Sequence, residues 1–345
     1  MSGAGRGVLS QRDLNRAILA RQGLLEPFDD ALPRVLERVG GIQAQYAPSM
    51  YVGLWSRMRT FDRADLTSAL GDRSVVQGTL LRATIHLVSR ADYWPFAVAI
   101  RAPLRQWYAR VTAGAEAAPD LGRRLDKLRR VLADGSLRQG EIDELVGRPA
   151  RSAMNVYLDL IRVPPSGTWE RRRADLYTAA ERWIGPPDIT RDDAHLLVVR
   201  RYLGGFGPAT KAEIGNWAGL PVRTVTEAAI EHVAYQADDG AVLVDLPDAP
   251  LPAPETPVPV RFLPTWDATL LGHARRARIL PEEHRTKVFS SRNPHSVPTF
   301  LVDGSVAGSW RYDDGRIDLT EFEPLARATR RAVEKAAEEL AAFHA

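Results

Sequence analysis

Two amide side chains sit one residue apart at Gln43-Ala44-Gln45, just past a Gly40-Gly41 break and shortly before Pro48. Extended backbone alternates its side chains, so a spacing of two aims both amides to one side. Each offers a carbonyl acceptor and an NH2 donor. Such a pair can hold a water molecule or the polar edge of a substrate without carrying charge. Taken alone, the pair reads more readily as loop amides that cap backbone groups.

The composition removes most rival chemistries. The 345 residues include no cysteine, which excludes disulfides, Cys-ligated zinc, iron–sulfur clusters and thiol nucleophiles. The seven histidines are scattered and show no metal-ligand spacing, so no metal is expected. There is no Gly-x-Gly-x-x-Gly or Walker-type loop, and Gly204-Gly205-Phe206-Gly207 lacks the Lys-Ser/Thr of a phosphate loop, so no cofactor is expected. Lysine occurs only at Lys127, Lys211, Lys287 and Lys335, none near the Gln pair, so Schiff-base chemistry has no support. No apolar run approaches the ~18–20 residues of a membrane span, and Met1 to Arg6 leads into no secretory apolar core. A cytoplasmic location without membrane association is expected. The net charge is +3 with a pI near 9.2, carried by arginine. A GC-rich genome accounts for most of that preference, although arginine forks also suit phosphate and guanine.

The elements that must position the Gln pair read as follows. Ser10 caps a helix with Leu14, Ile18 and Leu19 on one stripe. A second helix runs from Ala31 to Val39 and stops at Gly40-Gly41. Asp62 opens a short helix, and Thr79 to Val88 alternates as one strand, with Arg82, Thr84 and His86 sharing a face. Three helices followed by strands is the shape of a winged helix. A second unit carries a helix through Trp94 and Trp107, a basic helix near Arg123, a helix-turn-helix entry at Ser136 to Leu145, and a basic wing ending Arg171-Arg172-Arg173. In the third, Phe206 to Thr210 is the turn, Val222 to His232 a recognition helix, and Val242 to Val244 a wing strand. A stiff proline-rich connector follows. Then come hairpins at Asp303-Gly304 and at Arg311 to Arg316, and a final helix with Thr320 and Glu323 as capping box. The fold class is therefore α+β: mainly helical tandem winged helix-turn-helix modules at 1–95, 96–190 and 191–247, then a β-rich segment with a terminal helix at 248–345.

An ordered set of motifs adds a resemblance. Gly41 to Gln45, Leu81 to Leu87, Phe206-Gly207-Pro208-Ala209-Thr210, and Leu263-Pro264-Thr265-Trp266-Asp267 with Arg275 to Arg278 resemble the AlkZ-type family across nearly the whole chain. These are winged-helix DNA glycosylases that remove N7-alkylated guanine and unhook DNA crosslinks. Their catalytic motif is Gln, an apolar residue, then Gln or Asp. The resemblance implies catalytic roles for Gln43 and Gln45 in the Gln form, similar to the antibiotic self-resistance branch. It also implies a monomer acting on double-stranded DNA bearing alkylated guanine. Such a base is already cationic, so a pair of uncharged amides can suffice without a general acid. The candidate DNA-contacting residues are Arg82, His86, Arg171, Arg172, Arg275, Arg276, Arg278, Tyr312 and Arg316. Each basic group also reads as a solvated face, His86 as a half-buried strand residue, and Asp267 and His273 as structural. Two other classes fit the composition: a DNA-binding regulator that releases no base, and a protein that sequesters the drug itself.

Overall fold

Helix boundaries follow their capping residues. The computed structural model describes residues 7–112, 120–147, 151–228, 230–272, 276–289 and 296–345. Strand β1 (Val8–Leu9) leads into α1 (Gln11–Arg21), which Ser10 and Asp13 open with a reciprocal capping box. Helix α2 (Leu32–Val39) ends on Gly40 in the left-handed conformation, and β2 (Ile42–Gln43) begins at once. Gly41 also has positive φ, and a Cβ there would lie 2.9 Å from Val88. The two glycines thus allow a helix to end hard against a strand. Helix α3 (Ala47–Trp55), not expected from the sequence, starts with Pro48 in its first turn, and α4 (Arg63–Gly71) is capped by Asp62 and Asp65.

The single strand expected over Thr79 to Val88 is two. Strands β3 (Val75–Thr79) and β4 (Ile85–Ser89) pair across a 3-10 turn at Leu81–Ala83, where Arg82 and Ala83 have positive φ. No Gly, Asn or Asp marks this turn, so apolar alternation masked it. Arg82 consequently sits at a hairpin tip and does not share a strand face with His86.

Helix α5 (Arg90–Val111) and α6 (Leu121–Asp134) precede β5 (Leu137–Arg138), α7 (Gln139–Val146) and α8 (Arg151–Tyr157). A wing hairpin, β6 (Leu160–Arg162) and β7 (Leu176–Ala179), and the short α9 (Ala180–Ile184) follow. The next helices are α10 (Arg191–Phe206), α11 (Lys211–Ala218) and α12 (Val222–Glu227), the last shorter than the expected recognition helix. The wing β9 (Val242–Asp245) pairs with an unanticipated β8 (Val233–Ala237).

These segments interlock. One six-stranded sheet, in the order β2-β4-β3-β6-β7-β5, joins strands from the first two, while β1 pairs in parallel with β8. The main core lies between this sheet and α5 and α10, built from Val76, Val88, Phe96, Ile161, Val199 and Phe206 among others. The proline connector is pinned to α1, where Arg12 donates to the Pro254 carbonyl at 2.7 Å and Arg21 to that of Pro250 at 3.0 Å. Strand β10 (Arg261–Leu263), α13 (Ala268–Leu271), α14 (Arg285–Val288), β11 (Thr299–Val302), β12 (Ser305–Asp313) and β13 (Arg316–Glu321) then form the C-terminal unit, whose strands make one antiparallel sheet. Both expected hairpins are present. The expected capping box is not: Thr320 belongs to β13, and α15 (Arg327–His344) begins later, at Ala326. Glu321 accepts instead from the Leu325 N–H and pairs with Arg330. Among the described residues, no helix is long and apolar enough to cross a membrane.

Buried charge stitches the segments together. Arg21 forks onto Asp245 at 2.7 and 2.8 Å with both side chains shielded from solvent. Arg57, just past α3, donates to Asp267 at 2.8 Å and to the Gly53 carbonyl at 3.0 Å. Its side chain is 1% exposed and that of Asp267 2%, so each would be stranded without the other. Asp267→Ala should therefore lower unfolding stability by ~3–5 kcal/mol, the usual cost of orphaning one member of a buried pair. Arg57→Met with Asp267→Leu should recover most of it. Urea denaturation of the parent and these two variants checks this, and a loss under ~1 kcal/mol in the single variant would contradict it.

Candidate active site

The Gln pair occupies the edge of the six-stranded sheet. In β2, Ile42 and Gln43 lie opposite Leu87 and His86 of β4, and the Ala44 N–H continues the pairing to the Ile85 carbonyl at 2.8 Å. Pairing then gives way to α3. The side chains face the same way, because the Gln43 amide nitrogen donates to the Gln45 carbonyl oxygen at 2.6 Å. Gln43 is 7% exposed, whereas Gln45 and Tyr46 reach solvent. One amide is thus fixed in the fold and orients a second at the surface. A single mutual bond leaves each amide further donor and acceptor capacity.

The row across the sheet from Gln43 runs through His86, Gly78, Ile161 and Thr178. Gly78 leaves room for Tyr93 of α5, whose ring would lie 2.6 Å from an added Cβ. His86 is 4% exposed, with Nδ1 3.1 Å from the Thr84 carbonyl oxygen. Burial, reinforced by the positive charge of Arg82, holds its pKa down at about 3. It is therefore neutral at physiological pH, and little of it reaches solvent, as the half-buried strand reading expected more than a DNA-facing one. Its place is the strand position behind Gln43.

A cleft of about 710 Å³ begins at Tyr46, the residue after Gln45, and neither glutamine lines it. Tyr46, Arg172, Trp310, Tyr312 and His344 are among its lining residues. Distant parts of the chain thus meet there, among them the start of α3 after the Gln pair, the second segment's wing, the β12–β13 hairpin and the end of α15. An Arg172 Nη lies 3.5 Å from the Tyr46 hydroxyl, and its guanidinium lies over the Trp169 ring at 5.6 Å. Tyr312 stacks on His344 with centroids 4.4 Å apart and ring planes 18° from parallel. Burial and the charges of Arg172 and Arg63 lower the His344 pKa to about 4.

The other expected residues separate by location. Arg171 and Arg172 are exposed on the wing, and Arg316 is exposed on the second hairpin, where it pairs with Asp318 at 3.0 Å. Arg82 is exposed at its hairpin tip and donates to the Trp217 carbonyl at 2.6 Å. Arg278 is a correction: it is 4% exposed, donates to the Pro208 carbonyl and lies 3.9 Å from Glu213, so it braces the interior and cannot reach a phosphate. Arg275 and His273 lie outside the described residues, as does the side chain of Arg276. Asp267 caps α13 and neutralises Arg57, a structural role. Among the described residues no group of three or more His, Cys, Asp or Glu is placed to hold a metal ion. Sequence reading passed over Tyr46, although its position beside Gln45 was a signal. It also passed over His344, which no local pattern distinguishes.

The chain is similar to known proteins over nearly its whole length. A family model described as DNA glycosylase AlkZ-like matches residues 36–343. The interstrand DNA cross-link repair glycosylase of Streptomyces sahachiroi is 24% identical over 355 residues, covering 94% of this chain and 93% of its own. The solved structure of the Streptomyces sahachiroi DNA glycosylase AlkZ has a similar fold, with a TM-score of 0.81 at 21% identity over 98% of this chain and 97% of that one.

The buried histidine makes a pH prediction. An unfolded chain protonates His86 near its ordinary pKa of 6.5, whereas the folded protein resists until about 3. Stability therefore rises with pH across that window and is lost as pH falls through it. His86→Asn removes this term. Its stability relative to the parent should improve steadily as pH drops from about 7.5 to about 4.5, read by urea denaturation at each pH. A difference independent of pH would contradict the assignment of a neutral buried His86.

Proposed function

This chain belongs to the AlkZ-like DNA glycosylase family, and we propose that it hydrolyses the N-glycosidic bond of N7-alkylated guanine in duplex DNA, including bulky adducts and interstrand crosslinks from a genotoxic natural product. The observation that carries this reading is the 2.6 Å bond between the Gln43 and Gln45 amides, one buried and one exposed. The curated relative's name, a cross-link repair glycosylase, supports the substrate class.

The chemistry suits uncharged groups. In an N7-alkylguanine the base is cationic before reaction, so it leaves as a neutral purine when the C1′–N9 electron pair moves onto it. Water bonds to C1′ and its proton passes to solvent. Charge in the transition state lies on the sugar. Carbonyl dipoles of the amide pair stabilise that charge and accept from the attacking water. Gln43, held in the sheet edge, fixes the orientation of Gln45, which lowers the reorganisation needed during reaction. A carboxylate or lysine nucleophile is not required.

Arg171 and Arg172 on the wing and Arg82 at its hairpin tip offer exposed cations for phosphate contact. The solvent exposure of Gln45 suits a substrate that a crosslink prevents from flipping freely.

The test is release of 7-methylguanine from labelled duplex DNA. Gln43→Ala with Gln45→Ala should cut the single-turnover rate by about 100-fold or more while leaving DNA affinity within a few-fold. Undiminished release would reject the catalytic assignment, and tight binding without release by the parent would favour a DNA-binding regulator. With His86 neutral, the parent's rate should stay flat, within about twofold between pH 6 and 9. A bell-shaped profile would instead require a titrating acid or base.

A further inference from the structure

We propose that the hollow where the second half of α5 meets the β3–β4 hairpin tip and the α11–α12 turn binds one unpaired nucleotide, its base against Trp107 and its phosphate on Arg82 and Arg110. The site rests on the reading of the chain as a protein that acts on DNA, and not on which base is released. It shares no lining residue with the cleft that begins at Tyr46.

The helix supplies the stacking face. The buried residues of α5 end at Ile100. Leu104, Trp107 and Val111 follow it at spacings of four, three and four, which is one stripe of a helix. That stripe outruns the core: Leu104 is half-buried, Trp107 is 45% exposed and Val111 59%. Trp107 is the most exposed aromatic side chain among the described residues, and no ring or cation among them stacks on it. An indole left open in this way is a platform for a base, because every base has a π-face.

Two further walls give the platform depth. Ala218, Gly219 and Pro221 line one side, and Gly219, in the left-handed conformation that ends α11, adds no side chain to fill the space. Arg82 and Ala83 form the other, both with positive φ, and Arg82 ties the tip to α11 through the Trp217 carbonyl at 2.6 Å. The volume is about 480 Å³, within the roughly 300–1,000 Å³ of small-molecule sites. Such a space takes a single nucleotide and not a duplex. Strand β4, which leads away from the tip, is the one that pairs with β2, so the hollow and the Gln pair share one hairpin.

Charge selects the ligand. Arg82 and Arg110 line the hollow and reach solvent, and no carboxylate is among its lining residues. Other arginines, such as Arg101, Arg316 and Arg330, are matched by Asp159, Asp318 and Glu321. Among the described residues, Arg82 and Arg110 have no ion-pair partner. Uncommitted guanidinium forks beside an aromatic face suit a phosphate joined to a base. Gln106, also in the lining, adds an amide that can donate and accept at the base edge.

Unmodified DNA tests the site without base release. One duplex is fully paired, and a second carries a single extra 2-aminopurine nucleotide with nothing opposite it. The parent should bind the bulged duplex about tenfold more tightly and quench its fluorescence. Trp107→Ala should remove the preference and the quenching while keeping affinity for the paired duplex within about twofold. Trp107→Phe, which keeps an aromatic face, should retain most of both. Arg110→Gln should weaken binding of the bulged duplex and lower its salt slope by about one phosphate contact. Deoxyguanosine monophosphate alone is the second arm. Saturable, Trp107-dependent binding of it, with no preference between the duplexes, assigns the site to a free nucleotide instead of one in a strand. A parent that binds both duplexes alike and no mononucleotide overturns the site. Equal losses on both duplexes, in Trp107→Ala of parental urea stability or in Arg110→Gln, overturn it too. No arm depends on catalysis, so failure here is separable from failure of the glycosylase reading.

Discussion

A single buried guanidinium holds the Gln43–Gln45 segment from both sides. Arg57 is neutralised by Asp267 of the C-terminal unit, and it lies between the two helices that flank Gln43 and Gln45. On one side it donates to the Gly53 carbonyl within α3, the helix that starts two residues after Gln45. On the other it reaches the Gln22 carbonyl oxygen at 3.4 Å, and the Gln22 amide donates in turn to the carbonyls of Val39 and Gly205. Val39 is the last residue of α2, just before the glycine pair. The chain is thus tethered on both flanks of the Gln motif to one ionic centre shielded from solvent. Such a pair gives up much of its Coulomb gain to desolvation, and its value lies more in fixing one arrangement than in raising stability.

This tether matters because the proposed chemistry uses weak groups. An amide dipole delivers far less than a full charge at the same distance, so it helps a reaction only if it is already aimed. Aim is supplied here in steps: the Arg57 centre holds the helices, Gly40 and Gly41 let β2 form directly after α2, β2 pairs with β4, and buried Gln43 then orients exposed Gln45. His86 completes the surroundings by staying neutral in the strand behind. A protonated imidazole there would repel the developing sugar cation.

Local signals carried far into this structure and then stopped for definable reasons. The Ser10 and Asp62 caps, the Gly40-Gly41 stop and the Asp303-Gly304 turn act within a few residues, so sequence displays them directly. The amide pair's spacing likewise predicted its shared face. The turn at Arg82 and Ala83 was hidden because its positive φ values fall on residues that rarely adopt them, a cost met by tertiary packing. Arg278 looked like its exposed neighbours in sequence, yet tertiary packing of α11 and the Pro208 turn buries it. The cleft was illegible for the same reason: Tyr46 and His344 lie at opposite ends of the chain, and only the fold makes them neighbours.

That separation points to a division of labour. The amide pair sits on a sheet edge in the first segment, while the opposite wall of the cleft belongs to a hairpin and helix near the end of the chain. Changes on that wall can alter the width and aromatic character of the cleft without disturbing the pairing of β2 with β4. The Arg57–Asp267 pair is what keeps the two in register, since it joins the end of α3 to the start of α13. The proposed reaction needs little from the protein beyond orientation, so the sheet edge that holds the amides and the C-terminal unit can vary separately as long as this pair stays intact.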